Sequence, residues 1–396
     1  MKKLVSFAFT FLAIIIFIVP GLLAAPRKLI YLDASVLPEG GLASWRNLGT
    51  LGGNFIPVFR TQPTVEIVKN QKAVNLTAVD VLLRSTFPPP ASLNGRQPFT
   101  LLVRAFIPEL AQKSTILTWS QQPGAGAIFG IGNGLEAAFY HSDRVKLGYR
   151  NGYPEPGVWH LVAFVYDGKT IRAYVDGWLK AEARATLAIK PDKYFYLGGE
   201  TAERWPLPVD PFNGFLATLE LLDAAYSPLE IWNLAGRKEA IPVYPEEGEI
   251  VTALSVSLKW QKGDEKAASF AVYFSSQREE VEKAGKKALK GTFASAVTSY
   301  DVSDLKPGQA YFWRVDQLDS RGQLLQAGIV RRFSVDKGQA RNPVPHHQHG
   351  SVSRELNRLS WTPGPWVTSQ DVYFSQDPKK LEKAKPVVRD LKPGLT

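Results

Sequence analysis

Three observations predict an all-β protein. The stretch Gly157 to Ala183, GVWHLVAFVYDGKTIRAYVDGWLKAEA, places β-branched and aromatic runs between two Asp-Gly pairs, Asp167-Gly168 and Asp176-Gly177, and so spells a three-stranded antiparallel meander. Short apolar runs broken by turn residues recur along the chain, which holds 28 Pro and 32 Gly. Helical periodicity is confined to short stretches near residues 277 to 290. At roughly 100 to 200 residues per domain, the 396 residues divide into two to four domains, each large enough to bury a core.

Residues 1–25 read as a secretory signal: Lys2 and Lys3, a run from Leu4 to Val19 that is apolar except for Ser6 and Thr10, then Pro20, Gly21 and the small residues Ala24 and Ala25. Leu occupies the minus-three position of either cleavage site, so an uncleaved N-terminal anchor is the alternative, and membrane contact is expected only through this segment. With no cysteine, an exported chain forgoes disulfides, thiolate metal sites and a cysteine nucleophile. The net charge of +10 is spread out, and no basic run is interleaved with aromatics, so no nucleic-acid partner is expected.

The first block, residues 27–236, is a series of short strands. In its meander, Ile171, Ala173 and Val175 fall on one face and Arg172 and Tyr174 on the other. The preceding strand, Trp159 to Tyr166, is apolar almost throughout and belongs in the middle of a sheet covered on both faces. Near the block's end, Ser227-Pro228-Leu229-Glu230-Ile231 has the capping-box spacing of a short helix. A charged linker, 237–249, contains Pro242 and Pro245.

The second block, 250–337, and the third, 338–396, are related by an internal repeat. Leu258-Lys259-Trp260 recurs as Leu359-Ser360-Trp361, Val272-Tyr273-Phe274-Ser275 as Val372-Tyr373-Phe374-Ser375, and Leu305-Lys306-Pro307-Gly308 as Leu391-Lys392-Pro393-Gly394. In the complete copy this last motif leads to Tyr311, Trp313 and Val315, which alternate inward, with Tyr311 placed as a tyrosine corner. The last copy reaches Thr396 before such a strand, so a truncated sandwich within a longer chain is expected.

The segment Gly157 to Gly177 resembles the concanavalin A-like, laminin-G-like jelly roll of bacterial exported proteins. Leu32-Asp33-Ala34, Gly49-Thr50-Leu51-Gly52-Gly53, Phe99 to Val103, Leu197-Gly198-Gly199 and Asn213-Gly214-Phe215 follow the same family order. The second block is similar to fibronectin type III modules with L-x-W, V-Y-F and L-x-P-G-x-x-Y-x-W-R-V-D. The two resemblances imply a jelly roll followed by immunoglobulin-like sandwiches, secreted or at the cell surface of a bacterium.

Such jelly rolls often bind calcium through an acidic pair after the glycine of the late strand. Here Gly214-Phe215-Leu216 is followed by Ala217 and Thr218, so no cofactor is expected, calcium being the single candidate. Glycosidases of this architecture need two carboxylates across the scissile bond, often on one strand, and no E-x-D-x-E strand is present. There is also no G-x-S-x-G or H-E-x-x-H motif, so no catalytic residue is assigned. His346, His347 and His349 lie in a Pro-rich linker and read as a solvated turn rather than a metal site.

Sugar sites on β-sandwiches use exposed aromatics beside amides and carboxylates. The candidates outside the strand pattern are Trp119, Tyr140, Asp143, Tyr149, Tyr153, Trp178 and Trp205, whereas Trp45, Trp159, Trp260, Trp313 and Trp361 read as core. The expectation is an exported, non-catalytic recognition or adhesion protein whose jelly-roll loops bind extracellular carbohydrate or a cell-surface protein. The alternatives are the accessory binding and spacer region of a larger secreted hydrolase, and a structural surface stalk.

Overall fold

The computed structural model describes residues 26–109, 114–121, 127–131, 138–139, 154–201, 207–345, 358–375, 377–381 and 384–392. The first sandwich consists of two sheets. The larger runs in the order Trp178–Arg184, Thr170–Val175, Trp159–Tyr166, Phe99–Phe106, Phe215–Leu222, Gln71–Asn75, Thr64–Val68, Gly40–Gly41, with Lys28–Asp33 also pairing on Phe215–Leu222. The smaller runs Ala138–Phe139, Ala127–Gly130, Thr115–Ser120, Tyr196–Leu197, Leu83–Ser85, Asn54–Pro57, Trp45–Arg46. Non-consecutive neighbours within each sheet are the mark of a jelly roll rather than a meander.

The meander forms where the sequence places it, but its two turns differ. Asp176 and Gly177 both have positive φ, 49° and 84°, and close a two-residue hairpin between the paired residues Val175 and Trp178. At the first turn only Gly168 is left-handed. There the Asp167 carboxylate does the shaping, accepting hydrogen bonds from the Lys169 and Thr170 amides.

Trp159–Tyr166 is central, and both its faces are covered. Val162, Phe164 and Tyr166 join the inter-sheet core, while Ala163 and Val165 pack with Leu102, Tyr174 and Leu222 against Ile231 of the helix Pro228–Leu234. Ser227 and Glu230 form the expected capping box.

The second sandwich packs Ile241–Tyr244, Val256–Gln261 and Ser299–Val302 against a sheet ordered Glu249–Val251, Arg331–Val335, Ala310–Leu318, Ser269–Ser275, Leu289–Ala294. Trp260, Phe270, Val272 and Trp313 fill its core. The tyrosine corner is present: the Tyr311 hydroxyl accepts a hydrogen bond from the Lys306 amide at 2.8 Å. The expected linker is part of this sandwich. Ile241–Tyr244 is an edge strand on Val256–Gln261, a position that tolerates Pro242, which has no amide to donate.

In the third block Arg341–Val344 pairs with Ser360–Thr362 and Gln370–Val372 with Val388–Leu391. Phe274 is 9% exposed in the complete copy and its counterpart Phe374 is 63% exposed. Among the described residues Gln370–Val372 has a strand on one side only, where Ser269–Ser275 has one on each. Trp361, expected in a core, is half-buried and donates its indole hydrogen to Gln370.

Candidate functional site

The strand Trp178–Arg184 ends the larger sheet, and its register against Thr170–Val175 shifts between Ala173 and Tyr174, leaving Lys180 as a bulged residue. The turn before it packs tightly on the helix end. A Cβ on Gly177 would lie 3.1 Å from the Trp232 ring and 3.2 Å from Arg237, so a side chain there would crowd both in addition to straining the left-handed φ of 84°.

Trp178 is the hub of the joint between the sandwiches. The Arg331 guanidinium, from the second sandwich, lies 4.1 Å from its ring centroid, and Arg237 lies 4.9 Å from the centroids of both Trp178 and Trp232. Trp232 meets Trp178 at 90° with centroids 4.7 Å apart and donates its indole hydrogen to the Glu239 carbonyl. Arg237 Nε also donates to the Asp176 carbonyl at 2.6 Å.

Behind that turn, His160 Nδ1 is 2.6 Å from the Asp176 carboxylate and Nε2 is 2.8 Å from the Glu155 carbonyl. Both partners only accept, so the ring satisfies both when each nitrogen carries hydrogen. Burial opposes this charge, but the bonds to Asp176 and Glu155 outweigh it and raise the His160 pKa above its usual value.

Beside Trp178 a groove of about 370 Å³ opens between the sandwiches. Leu179, Pro228, Ile241 and Val243 give it apolar walls, while Arg172, Glu182, Glu246, Gln261 and Arg331 give it polar groups. Its size and mixed lining suit a small polar ligand. Burial pushes the Tyr174 phenol up to about 12, so it stays neutral. Arg172 is held by Asp167 at 2.8 Å and Glu182 at 3.3 Å.

Arg331 is undercompensated. Its Nη1 is 3.7 Å from Glu247, its buried Nε has no acceptor, and burial lowers its pKa from the usual guanidinium value. Lys180 is shifted down in the same way, by burial first and then by Arg331. A perturbed cation lining a cleft, as Arg331 does here, marks a place where ligand contacts can repay desolvation.

Of the seven residues predicted for a site, two are described, and of these Trp178 lines this groove, as a joint residue stacked by arginines rather than a bare platform. Trp119 is corrected outright: it is fully buried in the inter-sheet core, stacked on Phe129 with centroids 5.0 Å apart. The turn-like residues after it suggested a loop, but Thr115–Ser120 is a central strand. Tyr140, Asp143, Tyr149, Tyr153 and Trp205 lie outside the described residues, as do His346, His347, His349 and residues 1–25. Trp159, expected in the core, is half-buried and donates its indole hydrogen to the Val68 carbonyl.

Arg172, Glu182, Gln261 and Arg331 were missed as a set because they come from both sandwiches. The outward placement of Arg172 in the alternating strand was the one available signal. Among the described residues no group of three acidic or histidine side chains is arranged to hold a metal, and no helix is long and apolar enough to cross a membrane.

Residues 84–232 match a family model described as the concanavalin A-like lectin/glucanases superfamily, which agrees with the jelly-roll topology of the first sandwich. No curated protein matches the chain. Among solved structures, domain 4 of an extracellular GH43 arabinanase from Geobacillus stearothermophilus, in complex with arabinotriose, is similar at 15% identity and a TM-score of 0.36. That match covers 53% of this chain and 98% of that one. A Trypanosoma rangeli sialidase in complex with sialic acid matches at 18% identity and a TM-score of 0.37, over 52% of this chain and 32% of the sialidase. A candidate carbohydrate-binding protein of Bacteroides ovatus matches at 18% identity and a TM-score of 0.33, over 41% and 46%.

Proposed function

We propose that the chain is an exported, non-catalytic carbohydrate-recognition protein that binds its ligand in the groove beside Trp178, with the first fibronectin type III-like sandwich supplying one wall of that groove. The groove carries the reading. It sets planar hydrogen-bonding groups, Arg172, Glu182, Gln261 and Arg331, around apolar walls at a size that suits a mono- or disaccharide. The lectin and glucanase membership of the superfamily matched by residues 84–232 agrees with it.

A binding role rather than hydrolysis fits Glu182, which is already ion-paired with Arg172 at 3.3 Å. Glycan-array binding of the chain without residues 1–25 tests the proposal. Glu182→Gln and Gln261→Ala should each weaken a positive signal by about tenfold, the worth of one hydrogen bond to a charged or fixed partner. Binding that both variants retain in full, or no glycan bound at all, overturns it.

A further inference from the structure

The outer face of the smaller sheet carries a second cluster that the groove does not use. Arg84 and Tyr196 are directly opposite in neighbouring strands, and the alternate positions Leu83, Leu197 and Leu117 turn into the core. Phe195 is fully buried, so Tyr194 and Tyr196, on either side of it, face outward. Their ring centroids are 6.3 Å apart at 85°.

The Arg84 guanidinium lies 4.7 Å from the Tyr194 centroid and the Lys193 ammonium 5.2 Å. Neither cation has a carboxylate partner among the described residues, unlike Arg172, Arg278 and Arg314 elsewhere in the chain. The Tyr194 hydroxyl is correspondingly more acidic than usual, first through its hydrogen bond with Lys193, which burial opposes, and then through the charges of Lys193 and Arg84.

A guanidinium stacked on a ring spends its face and keeps its edge, where its N–H fork matches a carboxylate in two parallel hydrogen bonds. Tyr196, half-buried beside it, offers a flat surface of the kind that packs on a pyranose. We propose that Arg84, Lys193, Tyr194 and Tyr196 form a separate binding site for a carboxylate-bearing saccharide, with the hexuronate carboxylate on the two cations and the sugar ring on Tyr196.

Calorimetry of the full chain with oligogalacturonate, its methyl ester and a sulfated galactose oligomer tests this. The expected result is binding of the oligogalacturonate that falls by about tenfold or more on esterification and on the pair Arg84→Gln with Lys193→Gln, consistent with loss of a charge-assisted bidentate contact. Tyr196→Ser should weaken it with the melting temperature held. Equal binding of the ester, preference for the sulfated oligomer, or binding that survives the double substitution each overturns the site. Glu182→Gln should leave it unchanged. If that variant abolishes uronate binding, the ligand sits in the groove and this proposal falls, whereas failure of every neutral glycan to bind refutes only the groove.

Discussion

Replacing Trp178 by Ala should loosen the joint by about 3 kcal/mol, and the figure follows from its contacts. Arg331 stacks on the ring at 4.1 Å from a largely desolvated position, worth about 1.5 kcal/mol, and Arg237 at 4.9 Å adds about 0.5 to 1. The perpendicular pair with Trp232 adds about 1 kcal/mol. Because these terms share one side chain, the clean measurement is a double-mutant cycle in urea with Trp178→Ala and Arg331→Gln, followed by tryptophan fluorescence. A coupling energy of about 1 to 2 kcal/mol is expected. If the two changes add within about 0.3 kcal/mol, Trp178 does not hold the second sandwich through Arg331 and the reasoning is wrong.

Three further outcomes follow from single contacts. His160 has a raised pKa, so the stability it contributes is complete below its ordinary value of 6.5 and is lost as pH rises through the folded value. Thermal melts should therefore show wild type and His160→Gln far apart near about pH 5.5 and converging toward about pH 9, and a gap constant with pH would mean that the ring is neutral. Tyr311→Phe removes the acceptor of the Lys306 amide and should cost about 1 kcal/mol in urea unfolding, with no loss meaning the corner is ornamental. Gly263→Ala drives a Cβ into the Glu239 carbonyl and should cost about 1 to 3 kcal/mol, whereas an unchanged urea midpoint would show that Lys238 and Glu239 move aside freely.

The strands were legible because periodicity and turn chemistry are local. Alternation sorted Ile171, Ala173 and Val175 from Arg172 and Tyr174, and the repeat placed Trp260 and Trp313 in a core. Trp119 was misread because exposure is set by residues remote in sequence: Phe99 of the opposite sheet and Phe129 of the neighbouring strand enclose it. Tyr194 and Tyr196 went unnoticed, although the pattern Tyr194-Phe195-Tyr196-Leu197 alternates outward and inward as a strand does. The groove was illegible for a different reason. Its residues meet only after Ile241–Tyr244, read as part of a charged, proline-containing linker over 237–249, joins the second sandwich as an edge strand.

That edge strand decides which piece of the chain can bind. Ile241, Pro242 and Val243 form one wall of the groove, and Gln261 and Arg331 reach it from the second sandwich. The chain between is tied down at several points: Gln317 donates to the Lys238 carbonyl and accepts from the Gly263 amide, while Arg237 is bonded back to Asp176. A chain ending at Gly236 keeps Arg172, Trp178 and Glu182 but loses the opposite wall, Arg237 and the stacked Arg331. Its ligand would face solvent on one side, where each hydrogen bond competes with water and nets little. The first sandwich alone should therefore bind a groove ligand at least about a hundredfold more weakly than the chain through Asp336, matching the loss of about two such contacts. Isothermal titration of both lengths against the same glycan reads this directly, and equal affinities would place the site on the jelly roll itself and remove the groove from the account.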